Sequence, residues 1–188
     1  MYQLILFLHI LGVLFMFAAV GATLIGMFGM LHSKDNKTLK IWASLTVKMD
    51  EFLPFSVILI LLPGLYLVFS TWGWNIAWVN VSLVALILMS LAGPIINLRR
   101  FKGILKAVID ESGETPSTHL LAKVRDQVLW NSISIMTMEV LGIIYLMTIK
   151  PPLIESLVTM VVCFVLGIIF SKIALSIGSE KNKMSHSL

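Results

Sequence analysis

Five apolar runs, each about as long as a bilayer's hydrocarbon core is thick, constrain this chain more than any other feature. They extend from about Leu4 to Leu31, Phe52 to Ser70, Ala77 to Leu98, Trp130 to Ile149, and Leu153 to Ile177. A helix needs about 20 apolar residues to cross that core. Backbone groups in lipid must find partners within the segment, so runs of this length are read as helices. Composition points the same way: 58% of the residues are hydrophobic and only 13% are charged. Soluble domains carry roughly 45–50% and about 25%. The expected fold class is an all-α integral membrane bundle of five transmembrane helices.

The connections set the expected orientation. Lys34, Lys37, Lys40 and Lys48 lie in the first connection, and Arg99, Arg100, Lys102, Lys106, Lys123 and Arg125 in the third. Lys181 and Lys183 lie in the tail, whereas residues 71–76 carry no charge. Cationic loops stay cytoplasmic. This places the N-terminus outside and the C-terminus in the cytoplasm, in a cell inner (plasma) membrane. Trp72, Trp74 and Trp78 mark an interface as an aromatic belt does. The net charge of +4 follows this loop pattern, so the expected surroundings are lipid and not nucleic acid. The first run has no basic leader segment and is too long for a signal-peptide core, so it is read as a retained span.

The 98–130 connection has its own order. Phe101, Ile104, Leu105, Val108 and Ile109 recur at helical spacing. Glu111-Ser112-Gly113 breaks the pattern, and Ser117 or Thr118 after Pro116 can cap a new helix. Leu120, Leu121, Val124 and Val128 continue toward the fourth span. The reading is a single bundle over 1–178, a cytoplasmic helical hairpin at about 99–129, and a polar, frayed tail over 179–188. Leu39 to Lys48 reads as a short amphipathic helix lying at the cytoplasmic interface.

Polar side chains inside lipid are costly and therefore carry functional hypotheses. His9 lies in the first span. Neutral imidazole is a common ligand for haem iron and other metals; alternatively, His9 only bonds a neighbouring helix. Glu139 lies in the fourth span and is the candidate catalytic carboxylate, as a proton carrier, a metal ligand or a partner for another helix. Asp50 and Glu51 read as helix-start residues favoured by the dipole. Ala18, Ala22, Gly26 and Gly29 form a small-residue stripe suited to close helix packing. Gly12, one turn from His9, either packs or makes room for a flat macrocycle. The 11 Met residues raise a copper reading, with only Met136/Met138 and Met27/Met30 close in sequence; apolar filling explains them better. Cys163 is a lone thiol in an apolar run. No phosphate loop, His-Glu-x-x-His or nucleophile elbow is present. His32, His119 and His186 lie outside the spans, so a bis-histidine haem within the bundle lacks its second imidazole.

Several short motifs resemble a known group. Leu8-His9-Ile10-Leu11-Gly12-Val13-Leu14 resembles the opening helix of the CopD-like superfamily. That superfamily includes CopD copper-resistance membrane domains, HemJ-type protoporphyrinogen oxidases and a bacterial family of small predicted integral membrane proteins of unknown function. Leu62-Pro63-Gly64-Leu65-Tyr66-Leu67, Pro94 with Arg99-Arg100, and Tyr145 to Pro151 are similar to the last of these. The resemblance covers about residues 4–151, so the fifth span reads as an addition to a four-helix core. It implies a first-helix histidine that binds haem b, a role falling here on His9 as axial ligand, with Gly12 and Met16 in the cofactor-binding set. The family's second ligand has no clear counterpart in this chain. Three functions follow as expectations. The first is a haem b protein with a redox or haem-handling role, a membrane oxidoreductase if catalytic, working with a membrane redox partner or as a homo-oligomer. The second is copper or small-solute handling, with His9 as a metal ligand. The third is a non-catalytic scaffold or accessory subunit that docks through the hairpin.

Overall fold

The computed structural model describes residues 1–185, with side chains as far as 177. Its ordered elements are all helical. Helix α1 spans Tyr2–His32. A short turn leads to α2, Asn36–Leu67, where the Asp35 carboxylate caps the start by accepting from the Thr38 amide. At its far end α2 widens into a π-helical turn, Val68–Trp72, and stops at Gly73, whose φ of 77° favours glycine. Helix α3, Ala77–Ala92, continues through a second π-helical segment, Gly93–Leu98, directly into α4, Arg99–Asp110. Helix α5, Thr118–Val124, is capped by the Ser117 hydroxyl, which accepts from Leu120 N–H. The chain breaks at Arg125, and Asp126 caps α6, Gln127–Ile149. Lys150, at φ 58°, ends α6 in the left-handed region, and Pro151 prevents its continuation. Helix α7 covers Leu153–Ser185.

Among the described residues, five helical rods are long and apolar enough to cross a membrane: 2–32, 36–72, 77–110, 118–149 and 153–177. This is the five-span architecture expected from the apolar runs. Residues 99–129 contain α4, α5 and the start of α6. Two local expectations need correction. Residues 39–48 do not form a separate interfacial helix; they are the opening turns of α2, and Leu39, Ala43 and Val47 are buried. The close-packing stripe on α1 holds at Gly26 and Gly29, where an added Cβ would run into Thr46 and the Trp42 ring, but not at Ala18, which is exposed. Residues 179–185 continue α7, while 186–188 lie outside the described residues.

The real seam is His9, Gly12, Met16, Ala19, Thr23, Gly26 and Met30, all buried. Its alternating steps of three and four residues are the coiled-coil pattern. It faces a matching seam on α2 that includes Leu39, Ala43, Thr46, Asp50 and Ile60, and the two helices pack along their length. Gly12 lets α1 approach the α2 backbone itself: a Cβ there would lie 2.8 Å from the Ile60 backbone nitrogen. Helices α6 and α7 form a second tight pair, in which a Cβ on Gly167 would lie 2.5 Å from Ile135 Cα. Cys163 sits beside Gly142 in the same pair. Helix α3 meets α2 at few points, so space remains between the α1–α2 pair and the α3–α6 wall.

The basic end is closed. Leu39, Phe101, Leu120, Leu129 and Trp130 belong to one buried cluster that joins α2, α4, α5 and α6. The Trp130 indole donates to the Val124 carbonyl across the break before α6. Arg100 pairs with Asp126, and Lys102 lies 2.7 Å from Glu51.

Candidate functional site

The space between the helix pairs forms two chambers stacked along the bundle. The outer chamber, about 490 Å³, lies at the end away from the basic loops and contains His9. The His9 residue is 8% exposed. Its Nδ1 lies 2.9 Å from the Ile60 carbonyl. A carbonyl only accepts, so Nδ1 carries the proton and Nε2 keeps the lone pair. The tautomer is thus fixed by α2.

The Leu62-Pro63-Gly64 motif acquires a physical meaning here. Pro63 has no N–H for the Leu59 carbonyl and crowds that turn. Gly64 gives the imidazole its space: a Cβ at 64 would lie 3.1 Å from both Cε1 and Nδ1 of His9. Sequence reasoning singles out the motif but not its contact with His9, which requires the helix register.

The other walls of the outer chamber are largely apolar, with Leu61, Val79, Ile143 and Ile144 among them. Ser82 and Lys150 add polar groups. The Lys150 ammonium also lies 5.8 Å from the Trp78 ring centre. Met16, Leu86 and Val140 line this chamber and the next one too, forming the partition between them. Met16 is seven residues from His9, about 10 Å along the helix at 1.5 Å per residue. It therefore forms the chamber's floor. Gly12 lies against the α2 backbone, so the room it makes is occupied by α2 and not by a macrocycle.

The inner chamber, about 260 Å³, lies beyond that partition toward the basic end. Thr23, Asp50 and Asn97 line it, at 1%, 4% and 0% exposure. Among the described residues, Thr23 Oγ1, Asp50 Oδ1 and Asn97 Oδ1 have no hydrogen-bond partner. The Asn97 amide nitrogen donates to Met136 Sδ at 3.1 Å, a weak acceptor. Asp50 therefore does not act at a helix start. The helix begins at Asn36, which puts Asp50 well inside α2 on its packed seam. Glu51, its neighbour, faces outward to Lys102.

Compared with known proteins, the chain matches one family profile over residues 3–151, that of the predicted integral membrane protein family DUF2269. The chain belongs to this family. No curated protein and no solved structure matches it. All lining residues of both chambers except Tyr2 fall inside the DUF2269 match, whereas α7 lies beyond it. This fits the expectation of a four-helix core with one added span.

Glu139 is buried but lines a third cavity, an open groove of about 810 Å³ between α3, α6 and α7. It does not share the chamber of His9. Met136 lines the inner chamber and the groove, and Met138 lines none of the three. Among the described residues, no three His, Cys, Asp or Glu side chains come together. Of the ligands expected for copper in this DUF2269 chain, Glu139 and Met136 share the groove, while His9 lies in another cavity and Met138 lines none of the three.

Proposed function

We propose that this chain binds haem b in the outer chamber through His9 and serves a redox or haem-handling role in the plasma membrane, N-terminus outside. One observation carries the reading: Nδ1 of His9 is committed to the Ile60 carbonyl, which leaves the Nε2 lone pair available on a histidine that lines a largely apolar chamber. Metal-bound histidines characteristically donate their other nitrogen to a carbonyl or carboxylate, which orients the ring and raises its basicity. The chamber's volume lies within the roughly 300–1,000 Å³ usual for ligand sites. The resemblance of the first helix to HemJ-type proteins supports the same assignment.

Haem would supply one-electron chemistry at its iron. The chain's own residues would bind, orient and shield it. His9 would offer Nε2 to the iron, with its ring held by the Ile60 carbonyl and fitted against Gly64. The apolar walls exclude water. Lys150 offers a cation to a propionate. Glu139, facing a different groove, has no part in this site.

The copper-handling alternative loses support because His9 lies in a different cavity from Glu139 and Met136. A scaffold role retains the α4–α5 hairpin as its surface, with no contact in the structure that favours it.

The test is haem content after purification in detergent from haem-replete cells. The wild type should show a Soret band, and His9→Ala should lose at least about nine-tenths of it, in line with the 10–100-fold cost of disturbing metal shells. A folded, colourless wild-type protein would refute the proposal.

A further inference from the structure

One side chain of the outer chamber is out of place by three separate measures. Lys150 ends α6 at φ 58°, and among the described residues it is the one non-glycine residue with a positive φ. That region is unfavourable for a residue with a Cβ, and glycine or asparagine usually occupies it after a helix. Among the described residues, Lys150 is also the one Lys or Arg at the end of the bundle away from the basic loops, where the 71–76 connection carries no charge. Finally, it has no acidic partner. The ion pairs among the described residues are Arg100–Asp126 and Lys102–Glu51, and no Asp or Glu lines the outer chamber.

Ending the helix requires none of this. A cation anywhere in the last turn would serve the helix dipole, and a glycine at 150 would stop α6 without strain.

The surroundings fix the ammonium beside the chamber. Lys150 Nζ lies 5.8 Å from the centre of the Trp78 ring, and Trp78 meets the edge of Trp72 at 5.4 Å between ring centres. Trp72 and Lys150 both line the chamber. Lys150 is exposed as well, so it stands where the apolar hollow meets the surface. An unpaired cation at that boundary attracts one anionic group, while the hollow behind it takes an apolar body. A neutral molecule of the same shape gains nothing from the charge.

We infer that Lys150 is the head-group site of the outer chamber, selecting amphiphiles with an apolar body and a carboxylate over their neutral analogues. The inference rests on the outer chamber being a ligand site, as the haem reading has it, but not on iron or on His9.

The test uses the full-length, haem-free protein in detergent with parinaric acid, a fluorescent long-chain carboxylic acid, and its neutral methyl ester. Energy transfer from tryptophan reports probe at the bundle, and the part displaced by excess stearate is the bound part. At mildly alkaline pH the wild type should bind the acid at least about tenfold more tightly than the ester, the fold-change a charge-assisted hydrogen bond brings. Lys150→Gly should cut that preference to within about twofold and raise Tm by a few degrees, through relief of the left-handed backbone. Lys150→Arg should keep the preference. Lys150→Asn, also tolerant of that backbone region, is the readout if Lys150→Gly does not fold. Equal binding of acid and ester by the wild type, or binding of neither, would overturn the inference. So would an undiminished preference in Lys150→Gly, the result expected of a residue that only ends a helix. Haemin and its dimethyl ester separate this inference from the haem reading. Preference for parinaric acid in a protein that takes up neither tetrapyrrole would refute the haem reading alone. Equal uptake of the two tetrapyrroles, with no preference between parinaric acid and its ester, would refute this inference alone.

Discussion

At the scale of single residues, glycine positions separate close packing from spare space. Gly12 lets α1 touch the α2 backbone, where an added Cβ would lie 2.8 Å from Ile60 N and Leu59 C. Backbone cannot swing aside as a side chain can. Gly12→Ala should therefore destabilise by about 1–3 kcal/mol, as overpacked cores do. Gly21 lies on the same helix, yet a Cβ added there would meet nothing within 4 Å. Gly21→Ala should be neutral or stabilise by up to about 1 kcal/mol through helix propensity. Paired melting curves in one detergent check both signs, and an equal fall in the two variants would contradict the seam. His9 and Glu139 are visible in the sequence because charge and polarity stand out in apolar runs. Asp50 is visible too, but its role is not. Its neighbours Lys48 and Glu51 make it look like the edge of a span, and only the α1–α2 register shows that it points inward while Glu51 points out.

At the scale of elements, the five spans are legible because hydropathy alone defines them. The start of α2 is not, because Lys37, Lys40 and Lys48 interrupt its hydropathy where it leaves the bilayer. Its capping by Asp35 and its packing against α1 make it one continuous helix. Asn36 then ties that start to the α4–α5 turn. Its amide donates to the carbonyl of Gly113 at 2.9 Å and to Glu111 Oε2 at 3.2 Å, and its backbone N–H donates to the Glu114 carbonyl. Glu111 also accepts from the Ser117 backbone. Hydrogen bonds from Ser117 and Asn36 hold the Glu111 carboxyl below its ordinary value of 4.5. A carboxyl whose pKa is lowered by folding stabilises the fold above its unfolded pKa, and that contribution is lost as pH falls through the lowered value. The 111–117 turn should therefore keep its amide protection at neutral pH and lose it on acidification. Hydrogen exchange at Ser117, corrected for intrinsic rates, checks this. Glu111→Gln should flatten the pH dependence, and Asn36→Ala should loosen the turn at all pH values, by about 1–2 kcal/mol.

At the scale of the whole molecule, two tight helical pairs and a loosely held third span leave a hollow bundle with a closed basic end. The hollow divides at the Met16–Leu86–Val140 layer into an outer chamber that holds the His9 imidazole and a largely apolar inner chamber with Thr23, Asp50 and Asn97 among its lining residues. Apart from Tyr2, the residues lining both fall within the DUF2269 region, and α7 braces the outside of α6. No reading of the apolar runs could have shown the hollow, because it depends on how loosely α3 packs against α2. The proposed grip of haem by His9 in the outer chamber can be checked by titrating haemin into the detergent-purified, haem-free protein and following the Soret band. A saturable rise ending at one haem per chain is expected, with only a weak, unsaturable rise for His9→Ala. Identical curves for the two proteins would rule that grip out.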